Sequence, residues 1–145
     1  MPLENKVSCS TKMNLLCLSD EILLIILNKL SNTDVLYSLI EVNKRLDRLV
    51  RHCSLSKSID LVNVLTRERK FPRKIERFCF EIIPRIKENI QSLILDDLSI
   101  EQVLSLGYYP NLSQLTLINI PIEFISYIFL GLFFFVCSKL KIFYY

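Results

Sequence analysis

From residue 18 to residue 50 the apolar positions recur at helical spacing, with capping residues between the runs. Ser19 followed by Asp20 and Glu21 is a helix start: an N-cap serine, then acids in the first turn. The spacing predicts a helix over about 20–30. Stepping 100° per residue from Ile22 puts Ile26, Leu30, Leu23, Leu27 and Leu24 at about 40°, 80°, 100°, 140° and 200°, with Ile25 near 300°. An amphipathic surface helix needs an apolar stripe of about 100°. This one carries roughly twice that, so it requires cover on two sides. Ser31-Asn32-Thr33-Asp34 is a second start, with Asn32 or Thr33 as the cap, leading a helix with Val35, Leu36, Leu39 and Ile40. A third helix is predicted over 42–50, with Val42, Leu46, Leu49 and Val50 inward and Lys44, Arg45, Asp47 and Arg48 outward. Three such short helices are too small to fold well alone.

The period then changes. Ser58–Val62 alternates like a short strand, with Ile59 and Leu61 on one side. A charged stretch, 66–74, leads into a helical pattern over 74–89 whose broad face holds Ile75, Phe78, Cys79, Ile82, Ile83 and Ile86. Pro84 must kink that helix or start a new one. Next, NIQSLILDDLSIE (89–101) aligns without gaps to NLSQLTLINIPIE (111–123), an offset of 22 residues. Asn89/Asn111, Leu93/Leu115, Leu95/Leu117, Ile100/Ile122 and Glu101/Glu123 are identical, Ile90/Leu112 and Leu98/Ile120 are conservative, and each copy carries an LxxLxL pattern. The physical reading is a strand with alternate side chains inward, then a return helix over 99–110 closed by Gly107 and Pro110. Two ordinary parallel strands of an α/β domain would give the same pattern. After Glu123 the repeat dissolves into a charge-free run, 124–138, followed by KLKIFYY.

Composition narrows the chemistry. The 145 residues amount to about one domain, and the two glycines argue for helices over a turn-rich β-sandwich. A net charge of +3 does not by itself suggest a nucleic-acid binder. The basic segment with Arg67, Arg69, Lys70, Arg73, Lys74 and Arg77 has no aromatic stacking platform beside it and reads as a solvated loop and helix start. Five cysteines, an odd number without CxxC spacing, argue for free thiols in a reducing compartment and against a disulfide framework or zinc site. His52 is the single histidine, so histidine-based metal sets and triads are nearly excluded. Two isolated glycines cannot build a phosphate loop. Asp96 and Asp97 are adjacent on a strand, point to opposite faces, and form no dyad. Asn111-Leu112-Ser113 is formally a glycosylation sequon. No catalytic residue, metal or cofactor is expected, and the chain reads as non-enzymatic. Residues 1–14 are polar, without the apolar run of a signal peptide, and read as a flexible arm.

Leu18, Glu21, Ile22, Leu23, Ile26, Leu30, Asp34, Val35, Leu36, Val42, Lys44, Arg45 and Leu46 follow one another in the order and span of the F-box motif. Residues 18–50 resemble that family over nearly the whole motif. Two features differ: Ser19 stands where the family usually has proline, and the link 36–42 is about one residue longer than usual. The first removes a proline contact with the partner, and together they imply weaker adaptor affinity. The resemblance implies a three-helix module that docks on the Skp-type adaptor of a cullin–RING (SCF) ubiquitin ligase. The remaining chain, with its leucine-rich-repeat-like pattern, would then hold a protein substrate for ubiquitination. On this reading the adaptor-binding residues are Leu18, Ser19, Ile22, Leu23, Ile26, Leu30, Asp34, Leu36, Val42 and Leu46.

The expected organisation is α/β and mostly helical. A flexible arm (1–14) precedes an F-box (15–52), a short, incomplete leucine-rich-repeat-like segment (53–123) and an apolar tail (124–145). Two readings of that tail stand side by side. In one, a repeat array is interrupted after Glu123 and the protein is cytoplasmic or nuclear. In the other, the tail anchors a small membrane protein whose N-terminal helices bind another partner. The uncharged run spans about 22 Å as a helix, short of a hydrocarbon core of about 30 Å. Lys139, Lys141 and Phe143-Tyr144-Tyr145 would extend it as an interfacial belt.

Overall fold

A computed structural model describes residues 14–52, 54–62, 73–127 and 141–145. Residues 1–13 of the polar arm, residues 63–72 with the first part of the basic segment, and residues 128–140 of the apolar tail lie outside the described residues, as does Cys53.

Three helices open the fold: α1 (Asp20–Leu27), α2 (Asn32–Leu39) and α3 (Lys44–His52). A 3-10 turn, Leu15–Cys17, precedes α1, and another, Ser54–Ser56, follows α3. α1 stops three residues earlier than its apolar pattern, at Leu27, because the chain turns at Asn28 to reach α2. Between α2 and α3 the chain turns through Glu41 in the left-handed region (φ 69°). The Arg45 N–H then donates to Asn43 Oδ1 at 2.8 Å, which starts α3 at Lys44, two residues later than its apolar spacing predicts.

β1 (Ser58–Asp60) enters the sheet directly after this unit. The next helix is continuous but irregular: α4 (Arg73–Arg77), a π turn (Phe78–Ile82) and α5 (Ile83–Ile86). Pro84 explains the irregularity. It has no N–H for the Phe80 carbonyl, and its ring crowds that carbonyl. The wider turn, in which the Ile83 N–H donates to Phe78 O, opens the ladder just ahead of it. The expected kink is therefore a π bulge. Then follow β2 (Ser92–Asp96), α6 (Ile100–Ser105), β3 (Gln114–Ile118), α7 (Ile122–Tyr127) and β4 (Lys141–Tyr144). α6 ends where Gly107 adopts φ 96°, a conformation that L side chains rarely take.

The four strands form one parallel sheet in the order β1-β2-β3-β4, so each crossover advances the sheet by one position. β2 and β3 pair Ser92 with Gln114, Leu93 with Leu115 and Leu95 with Leu117. That register equals the 22-residue offset of the sequence repeat. The hydrogen bonding repeats as well. Lys57 O accepts from the Gln91 and Ser92 amides, and Gln91 O accepts from the Ser113 and Gln114 amides. Asn89 Nδ2 donates to Arg51 O, and its repeat partner Asn111 donates to Glu88 O, each at 2.6 Å. Each asparagine thus ties the start of its coil to the stretch of chain that leads into the preceding strand. Asp96 is buried at the end of β2, and Asp97 is exposed in the turn that follows, not on the strand as its neighbour. Asp96 Oδ1 accepts from the Ser99 hydroxyl at 2.8 Å and from its N–H at 3.0 Å, fixing the turn into α6.

One apolar core runs through both parts. Leu27, Val35, Leu36, Ile40 and Val50 of the helical unit pack with Leu55, Ile59, Phe78, Ile82, Leu93, Leu95, Leu115 and Leu117. The seam is also polar and aromatic. Asn32 and Thr33, expected as helix caps, lie in α2 beneath an N-cap at Ser31. Asn32 Nδ2 donates to Ser58 O at 3.1 Å, and the Thr33 hydroxyl donates to Asp60 O at 2.8 Å. The edge of β1 is closed by α2 side chains, which local sequence could not specify. Tyr37 stacks on Phe78, with Arg77 4.7 Å and Lys74 5.3 Å from its ring centre. Arg85 pairs with Glu41 across the same seam.

Two expectations for the C-terminal region are corrected. The pattern after Glu123 does not leave the fold: α7 and β4 carry the coil one strand further, because backbone pairing with β3 needs no leucine repeat. The membrane-anchor reading of 124–145 is also overturned. No described helix is long and apolar enough to cross a membrane. Residues expected as an interfacial belt are strand residues instead: Lys141 pairs with Gln114, Phe143 with Thr116 and Tyr144 with Leu117.

Candidate functional site

The over-apolar helix divides its residues between two sides. Leu23 and Leu27 point into the core and are buried. Ile22 (47% exposed), Ile26 (40%) and Ile25 (64%) face outward, and Leu30 stands exposed in the turn after the helix. On the helical wheel, Ile25, Ile22 and Ile26 span about 100°, from about 300° through zero to about 40°. This is a second complete apolar stripe without cover among the described residues. Its edge continues into a groove of ≈ 290 Å³ between α1 and α2, lined by Leu15, Ile26, Leu27, Leu30, Asp34 and Leu39, with three further residues of α2 and its N-cap.

The residues proposed from sequence fall into two groups. Ser19, Ile22, Ile26, Leu30 and Asp34 are exposed, Leu18 is half-buried, and Val42 projects from the α2–α3 turn at 66% exposure. Leu23, Leu36 and Leu46 are core residues, at 0%, 0% and 4% exposure, and their assignment to partner contact is corrected. Ile25, Leu15 and Leu16 are exposed as well and are not among the residues expected from sequence. For Ile25 the signal was present, since its wheel position lies only about 60° from Ile22. For Leu15 and Leu16 nothing local marked them, because a short 3-10 turn has no apolar period to read.

Polar groups fix the approach to this face. Ser19 occupies the N-cap position with an extended backbone, and its hydroxyl makes no capping bond to the helix amides. Hydrogen bonding from the Glu21 backbone N–H, and then from the Ser19 hydroxyl, holds the Glu21 carboxyl below its usual range. Arg45 reaches from α3 to Asp20, with its Nε 2.8 Å from Asp20 Oδ1. The same guanidinium donates to Leu16 O at 2.8 Å and Leu18 O at 2.7 Å.

The buried titratable groups lie elsewhere and serve packing. Burial pushes the Cys79 thiol up to about 11. Burial, then the neighbouring Cys79, raises the Tyr109 phenol, whose hydroxyl donates to Val103 O at 2.6 Å. Among the described residues no three histidine, cysteine or acidic side chains converge on a point that would hold a metal ion. The chain matches no protein-family profile. A search of curated proteins finds no significant match either.

Proposed function

We propose that this chain is an F-box-type substrate receptor. Residues 18–50 would dock on a Skp-type adaptor of a cullin–RING ubiquitin ligase, and the coil from β1 to β4 would present a protein substrate. The observation that carries the reading is the uncovered stripe of Ile22, Ile25 and Ile26 on a helix whose other side is fully used by the core. A soluble surface has no use for three adjacent isoleucines unless another surface covers them. Each is about half exposed, so complete burial contributes about 1 kcal/mol per side chain. The order of motif residues over 18–50 names the partner class. The sequential parallel sheet with a 22-residue register is the geometry a leucine-rich-repeat segment would have.

The test is binding of the full-length chain to a purified Skp-type adaptor, comparing wild type with Ile22→Asp/Ile26→Asp. Wild type is expected to form a stoichiometric complex and the double variant to lose it while keeping its circular dichroism. A wild-type chain that does not bind sinks the proposal.

A further inference from the structure

Among the described residues, no buried side chain anchors the segment ahead of α1. The turn Leu15–Cys17 has no buried residue. Its own hydrogen bonds are few: Cys17 N–H to Asn14 O, Leu18 N–H to Leu15 O, and Leu16 N–H to Asn14 Oδ1. Yet Leu15 lines the groove beside Ile26 and Leu30, and Leu15 and Leu16 are about as exposed as Ile26. What ties this turn to the folded body is the Arg45 guanidinium, 29 residues away from Leu16 in sequence. Three nitrogens of one planar group are engaged: Nε by Asp20, Nη1 by Leu16 O and Nη2 by Leu18 O.

We infer that Arg45 is the positioning residue of the docking face: its fork clamps the turn before α1, so that Leu15 and Leu16 extend the α1 stripe into one preformed surface. The inference rests on the proposed adaptor docking only for what binds there. The chemistry explains why arginine is required. A guanidinium offers five donors in a fixed plane, whereas a lysine ammonium is one point charge. Lysine at this position keeps an ion pair with Asp20 and cannot reach both carbonyls in that geometry. A turn held in place before binding saves the ordering cost that a free segment incurs at docking. Asp20 shares the carboxylate end of the clamp, which gives the acid in the first turn of α1 a second role beside the helix dipole.

The experiment uses the full chain as wild type, Arg45→Lys, Leu15→Ala/Leu16→Ala, and the triple variant. Two quantities are read: amide hydrogen exchange without a partner, and affinity for a purified Skp-type adaptor. Arg45→Lys is expected to speed exchange at the Cys17 and Leu18 amides by about tenfold or more, with the β2 and β3 amides unchanged. Affinity is expected to fall about tenfold in Arg45→Lys and by a similar factor in the leucine variant. The triple variant should be weaker than the leucine variant by no more than about twofold, the non-additivity of groups acting as one unit. Unchanged exchange at residues 17 and 18 in Arg45→Lys overturns the clamp. Independent, multiplying losses of affinity overturn its role in positioning the leucines. A wild-type chain that does not bind the adaptor defeats the proposed function alone, and the exchange comparison still decides whether Arg45 holds the turn.

Discussion

α1 and the strand pair β2–β3 are built from the same residues and use them in opposite ways. In β2 and β3, Leu93, Leu95, Leu115 and Leu117 are all buried, and each leucine stacks on its counterpart in the next coil. In α1, Leu23 and Leu27 are buried while Ile22, Ile25 and Ile26 are left outside. A strand in a parallel coil shows alternate residues to the core, and each neighbouring coil covers the last, so apolar surface is used as it is made. A helix of eight residues packed on one side keeps whatever its outer arc carries. The difference teaches that apolar content alone does not set α1 apart. A surplus over what the chain can cover does.

That contrast can be broken at its strong end first. Leu95→Ala removes a fully buried side chain at the centre of the coil and should lower stability by about 2–5 kcal/mol in urea unfolding. A loss below about 1 kcal/mol would mean the coil is not the core described. Alkaline pH is the next lever. Cys79 keeps its proton in the folded state up to about 11, whereas an unfolded cysteine releases it near ~8.5. Between these values the unfolded chain binds fewer protons, so stability should fall as pH rises through this window, by about 1.4 kcal/mol per pH unit at most. Thermal unfolding at pH 8 and pH 10 should show the drop, and Cys79→Ala should flatten it.

Smaller effects sharpen the seam and the free face. Thr33→Val leaves the Asp60 carbonyl without its donor from α2 and should cost about 1–3 kcal/mol, measured by equilibrium unfolding. An unchanged midpoint would remove the polar closure of the β1 edge from the account. Ile25→Ser, on the outer arc of α1, should shift stability by no more than about 0.5 kcal/mol. It should also weaken the proposed adaptor binding measurably. A destabilisation as large as that of Leu95→Ala would show that this arc is covered after all, and the contrast between the two regions would fail.

Much of the architecture follows from spacing along the chain. The 22-residue repeat already contains the β2–β3 register, because identical turns of a coil place identical residues side by side. The alternation in 58–62 marks β1, and Ser19 and the SNTD stretch at 31–34 mark the starts of α1 and α2, the second one or two residues earlier than Asn32 or Thr33 as cap would place it. These are local or periodic properties, set by backbone geometry and by which face of an element is apolar. Tertiary packing decided the rest. Asn32 and Thr33 read as helix caps, and only the neighbouring edge of β1 turns them into its partners. Leu23, Leu36 and Leu46 lie in the same helical pattern as Ile22, Ile26 and Leu30, and only the core separates the first three from the others. KIFYY reads as a membrane belt by composition, but its backbone is drawn into the sheet by β3. By its spacing Arg45 is an outward charge of α3, and only the fold brings the Leu16 and Leu18 carbonyls to its fork. Periodicity reports which residues lie on one face, but which of two apolar faces is covered, and by what, depends on partners distant in sequence.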